Sequence, residues 1–266
     1  MSRKSCRSLL LAVLLILTGC GRDPAVPATE STAVTAGETT AVTEATETIA
    51  IETASVTEPI HSPLYLPGVT TEDVIGYFHE VCLDAEFVNS GDPTRLQRWE
   101  TPILYRWEGE TPEDRQVLDA FAAWLNGVEG FPGIREAQPD EAANLRIFFR
   151  EEGEYLEMMG ENFSGTDGGV TFWYNGADEI YDGIIGIRSD LEAQLRSTVI
   201  LEEVYNGLGP INDTGLRPDS IIYAEFSTPQ GLSPVDELLL KLLYHPDMKC
   251  GMDQTQCDEI IRKLYY

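Results

Sequence analysis

The stretch LEAQLRSTVILEEVYNGLGPIND, residues 191–213, decides how this chain is read. Gly207 and Gly209 close an apolar-rich run, so the spacing predicts a long helix from Leu191 to Leu208. At 100° per residue, Glu202 and Asn206 project from the same side as Leu191, Leu195 and Val199, while Ile200, Leu201, Val204 and Leu208 cover the other faces. The second half of the helix is therefore apolar almost all round, which marks a buried helix. It nevertheless carries a carboxylate and an amide in its core-facing stripe. Buried polar groups need partners or they destabilise the fold, so something must satisfy them.

Around this helix the periodicities alternate. A helix is expected over 71–86, where Val74, Tyr77, Phe78, Val81 and Cys82 fall at helical spacing after a Thr/Glu start. Ile103 to Trp107 reads as a strand, and Thr111-Pro112-Glu113 opens a helix that ends near Gly127. Asn144 to Phe149 and Gly169 to Tyr174 are strands, and Ile180 to Ile187 pairs with the latter across a turn at Asn175-Gly176. Ile221 to Phe226 is a short extended piece, Ser233-Pro234-Val235-Asp236 opens a helix through Leu243, and Asp253 to Leu264 is the last one. The pattern is α+β, a mixed twisted sheet with a long buried helix.

The N-terminus addresses the compartment. Arg3, Lys4 and Arg7 precede an apolar run from Leu9 to Leu17, and Leu17-Thr18-Gly19-Cys20 reads as a lipobox. Residues 1–19 are therefore expected to be a lipoprotein signal peptide, with Cys20 the lipidated residue that holds the chain to the membrane. Residues 20–60, mostly Thr, Ala, Glu and Val without an aromatic residue, read as a disordered tether. About 40 such residues average roughly 35 Å end to end as a coil. Extended, they reach about 140 Å, which favours a Gram-positive-type envelope. Residues 61–266 hold all four tryptophans and are read as one globular domain. The formal net charge of −27 excludes a nucleic-acid partner, because tracking a phosphate backbone needs the opposite sign. The expected partner, beyond the membrane, is a cell-envelope protein or peptide. Cys250 and Cys257 bracket a short stretch and are expected to form a disulfide outside the cytoplasm, leaving Cys82 as an odd buried thiol.

The block LEEVYNGLGPIND, with Asp219-Ser220-Ile221 after it, resembles the zinc-peptidase pattern H-E-x-x-H-x-x-G-x-x-H and its trailing Ser-Ile segment. On that pattern Glu202 and Asn206 stand at the first two histidines, Glu203 at the general base, Gly209 at the glycine that turns the chain, and Asn212 at the third ligand. LSPVDELLLKLLYHPDMKCGM resembles the segment leading into the Met-turn, with Met248 or Met252 in that role. The EE-x-x-x-x-LG-x-x-ND core, followed by a helix, LY and GM, is similar to a bacterial family, domain of unknown function 2927, over about residues 70–264. The resemblance implies a metzincin-like fold. The zinc histidines are absent, however, and the chain holds only His61, His79 and His245. Glu202, Asn206 and Asn212 offer hard oxygen donors, suited to calcium, magnesium or manganese rather than zinc.

Three readings follow. The domain has lost zinc and holds these polar residues as a core network; or the altered set works with another metal or none, with Glu203 as the base of a hydrolysis; or Glu202, Glu203 and Asn206 only brace helices. Asp167, Asp178 and Asp182 read as a solvated acidic loop and Trp99, Trp107, Trp124 and Trp173 as core. Adjacent glutamates on one helix cannot form a glycosidase pair, whose carboxyls face each other across a cleft at roughly 5–9 Å.

Overall fold

A computed structural model of the chain describes residues 61–83, 95–225 and 227–266, together with the backbone of residues 12–14. The lipobox, Cys20 and the tether lie outside the described residues.

The sheet contains β1 (Ala12–Leu14), β2 (Arg98–Trp99), β3 (Ile103–Glu108), β4 (Ile134–Glu136), β5 (Leu145–Arg150), β6 (Gly168–Tyr174) and β7 (Glu179–Arg188). Its order is β1-β6-β7-β5-β3-β4, with β2 also paired to β7. The sheet is mixed, as expected, but its centre is parallel: β4, β3, β5 and β7 all run one way, and β2 runs parallel to β7. Parallel neighbours need crossovers, and the helix α2 (Pro112–Leu125) carries the chain from β3 to β4. The domain is thus a mixed α/β arrangement, with helices between strands as well as after them. Only β6 and β1 run against their neighbours. The leader reads in sequence as an export signal, yet three of its residues form β1 along the outer edge of β6.

The β6–β7 hairpin turns where Asn-Gly predicts. Asn175 Oδ1 accepts the amides of Ala177 and Glu179 at 2.8 and 3.2 Å, and Asp178 takes a left-handed φ of 62°.

The other helices are α1 (Thr71–Cys82), α3 (Glu152–Met159), α4 (Ala193–Asn206), α5 (Pro234–Leu243) and α6 (Gln254–Leu264). Thr70, Thr111, Ser233 and Asp253 each begin a helix with a reciprocal capping box, which satisfies two of the amides a helix start leaves open. Alternation along β5 divides the core between two faces. Leu145, Ile147 and Phe149 join the main core, while Phe148 points the other way into a small cluster with Tyr155, Met159 and Phe163. The segment over 221–226 is not extended: apart from a parallel bridge between Thr214 and Tyr223 it is turns, with Phe226 outside the described residues.

Candidate functional site

The helix α4 packs against β6 and β7, and from Thr198 onward it is buried almost without interruption. Each fully buried Val, Ile or Leu there contributes about 1.5–3 kcal/mol. Its N-terminal end is fixed by Arg196, whose Nε donates to Asp114 Oδ1 of α2 at 2.8 Å in a largely buried pair. Its C-terminal carbonyls are satisfied by the core. Trp99 Nε1 donates to Gly207 O at 2.8 Å and Tyr244 Oη to Leu208 O at 2.7 Å. Gly209 then turns the chain at φ 132°, a left-handed conformation where a Cβ would also come within 2.6 Å of Gln97 O.

The acid that enters the core is Glu203. It is 1% exposed and Asn206 0%, whereas Glu202 is half-buried. The first residue of β6, Gly168, is what lets Glu203 in. A Cβ there would stand 2.4 Å from Val199 Cγ1 and 2.9 Å from Glu203 Cγ and Oε1, so the bare backbone of β6 lies directly on this face of α4. Among the described residues, neither carboxyl oxygen of Glu203, nor Oδ1 or Nδ2 of Asn206, has a hydrogen-bond partner. Burial drives the Glu203 carboxyl well above the usual carboxylate range, and the negative charges of Glu202 and Asp213 add to it. Glu202 is pushed up to about 8, chiefly by burial and then by Asp213 and Asp167. Burial thus favours the protonated form of Glu203 over the carboxylate.

The remaining positions singled out in the sequence do not converge on Glu203. Asn212 Nδ2 donates to Glu80 O at 2.9 Å, and the amides of Ile211 and Asn212 donate to Val81 O, so Asn212 ties the loop to the end of α1. His61 stacks on Tyr65 with ring centroids 3.7 Å apart, His79 Nε2 lies 2.6 Å from Asp258 Oδ1, and His245 Nδ1 accepts the Asp247 amide at 3.1 Å. Among the described residues no group of three or more His, Cys, Asp or Glu side chains is placed to hold a metal ion. Glu202, Asn206 and Asn212 offer oxygen donors, where zinc sites are built chiefly from nitrogen and sulfur. A surface groove of about 460 Å³ lies between Trp124 and His245, and none of its lining residues belongs to the α4 group.

Cys82, Cys250 and Cys257 all stand as free thiols in this structure. Cys250 Sγ is turned onto Arg98 O at 3.5 Å, while Cys257 is buried on α6. Asp167 and Asp178 stand at opposite ends of the hairpin rather than in one loop. Trp99 and Trp107 are core, and Trp124 and Trp173 are half-buried.

Sequence reading missed a second polar centre. Asp236, which the sequence marks only as a helix-opening residue, is fully buried. Its Oδ1 accepts Ser220 Oγ at 2.6 Å and Tyr77 Oη at 3.3 Å, and its Oδ2 accepts the amides of Ile221 at 3.0 Å and Ser233 at 2.8 Å. Tyr205 Oη donates to Asp236 O at 3.1 Å. Asp236 thus joins α1, the Ser220-Ile221 turn and the start of α5 through its carboxylate, and α4 through its backbone carbonyl. The only signal for it was the Ser-x-x-Asp spacing of a capping box.

Together these features define a mixed α/β domain with one buried acid, Glu203, sealed on its central helix and a second, Asp236, held by hydrogen bonds. The chain belongs to the family described as protein of unknown function (DUF2927), whose pattern matches residues 71–263, from α1 to α6. No curated protein matches it.

Proposed function

We propose that the chain is a bacterial lipoprotein, cut before Cys20 and anchored by lipid there, whose tether displays a zinc-free, metzincin-like domain. Its role at the cell envelope is to bind or brace a protein or peptide rather than to catalyse a reaction. The observation that carries this reading is the sealing of Glu203 and Asn206 beneath Gly168, at 1% and 0% exposure. A hydrolase needs a base open to substrate and water, and this acid is closed off, with burial favouring its protonated form. Absence of the zinc histidines points the same way, since no Lewis acid is held where it could activate a water.

A specific observation favours a second reading. Among the described residues the oxygens of Glu203 and Asn206 lack hydrogen-bond partners, and Glu202 precedes Glu203 in the chain; hard oxygen donors of this kind suit calcium, magnesium or manganese. With such an ion, Glu203 would serve as the base of a peptidase.

Incubating the full chain with zinc, calcium, magnesium or manganese separates the two. Under the first reading the melting temperature does not move and peptide mixtures stay intact with every ion. A melting rise that Glu202→Ala abolishes, or a hydrolysis that Glu203→Gln abolishes, would establish the second. Anchoring is tested separately. The Cys20→Ala chain should leave the membrane fraction and lose incorporation of a labelled fatty acid; unchanged membrane retention and labelling would remove the lipoprotein assignment.

A further inference from the structure

The helices α1 and α6 pack against each other, and two ion pairs at the rim of their contact fix its register. Glu72 pairs with Arg262, and seven residues further along α1 His79 meets Asp258. Moving forward along α1 therefore moves backward along α6, so the helices are antiparallel. Cys82 lies one turn beyond His79, on the same side of α1. Cys257 lies just before Asp258, on the inner stripe of α6 that it shares with the buried Ile261. The register brings both cysteines, which stand as free thiols in this structure, to the same level of the interface, where they are 1% and 0% exposed.

We propose that Cys82 and Cys257 form a disulfide that staples α1 to α6 in the exported protein, and that Cys250 is the unpaired thiol. The bridge rests on the exported placement given above, because disulfides persist in oxidising compartments. Burial raises the Cys82 thiol, with Cys257 as the next contribution, and lifts the Cys257 thiol to about 12. Thiols held protonated in this way are poor nucleophiles, so the exchange takes place before the two helices close on each other. One cysteine thiolate attacks a small-molecule or protein disulfide and forms a mixed disulfide, expelling the first thiolate. The other then attacks the protein sulfur of that mixed bond and expels the second. The two protons of the cysteines end on the two released thiols, and the external disulfide is the oxidant.

The full chain, exported with its own leader, should be extracted under a thiol-blocking alkylator and digested without reduction. The expected map joins the Cys82 peptide to the Cys257 peptide and shows Cys250 alkylated. Reduction should lower the melting temperature by about 10 °C, since the bridge closes a loop of about 175 residues. That fall should persist in Cys250→Ala and vanish in Cys82→Ala. A bridge between Cys250 and Cys257 overturns the proposal. A second sample, reduced, unfolded and refolded in a glutathione redox buffer, separates the bridge from the compartment. A Cys82–Cys257 link there, with alkylated thiols in the exported sample, supports the pairing and rejects the exported placement. Alkylated Cys82 and Cys257 in both samples reject the pairing itself.

Discussion

At pH 8 the Glu203→Gln chain should unfold at a higher temperature than the natural chain, and at pH 4.5 the two should unfold together. The sign follows from the direction of the shift. Burial raises the folded-state pKa of Glu203 well above its ordinary value of 4.5, and that of the neighbouring Glu202 to about 8. Above pH 4.5 the unfolded chain releases these protons while the folded chain holds them, so rising pH favours unfolding. The contribution is fully present below 4.5 and is lost as pH climbs through the raised folded-state values, about 8 for Glu202. Glutamine keeps the shape of the protonated acid and has no proton to give, so the variant gains stability at pH 8 and nothing at 4.5. Thermal unfolding in the presence of a chelator, followed at both pH values, reads the difference. A variant less stable than the natural chain at pH 8 would show that the fold uses the ionised carboxylate, and would turn attention to a bound cation.

Asp236→Ala should cost about 3–5 kcal/mol, the largest loss expected from any single polar substitution in the domain. The carboxylate accepts from Ser220 Oγ, Tyr77 Oη and the amides of Ile221 and Ser233, all around a fully buried position. Truncation leaves several donors without acceptors in the core, and unmade buried hydrogen bonds cost more than made ones contribute. It also removes the N3 half of the capping box at α5, while Ser233 Oγ keeps the amide at position 236. Asp236→Asn should lie between, because one amide group must then face N–H donors that it cannot accept. Urea unfolding at pH 7 measures both variants, with the slope against denaturant unchanged if only stability has moved. A loss under 1 kcal/mol for the alanine variant would mean that water replaces the carboxylate and that Asp236 is not the hub of the network.

Much of the fold was legible because its elements announce themselves locally. Thr70, Thr111, Ser233 and Asp253 carry their capping partners three residues on, and Asn175-Gly176 marks the hairpin. What was not legible depends on distant neighbours. The strands β2 and β4, two and three residues long, exist because β7 and β3 offer them edges. In α3 only Tyr155 and Met159 are buried, too few for a periodic stripe, and they pack on the face of the sheet opposite α4. The parallel centre of the sheet leaves no mark in any one strand's alternation.

The candidate site divides along the same line. On the helical wheel Glu202 and Glu203 flank the line midway between Val199 and Asn206 at about 50° on either side, so the wheel alone does not choose between them. The choice is made by Gly168, 35 residues upstream, whose missing side chain leaves room for Glu203. Asn212 likewise stands at a third-ligand position in the sequence pattern, but the end of α1 claims its amide.

The clasp between α1 and α6 has a mechanical consequence. Ser62 N donates to Tyr266 O at 2.8 Å, and Tyr265 Oη meets the backbone of Leu66 and Val69, so the chain enters and leaves the domain at one corner. Tension applied at His61 is therefore taken first by this corner, where contacts give way in succession as in peeling. The strands β3, β5 and β7 lie behind it and would feel the load only after α1 had come away. Under pull the corner acts as a fuse, and a covalent link between α1 and α6 would raise the force at which it opens.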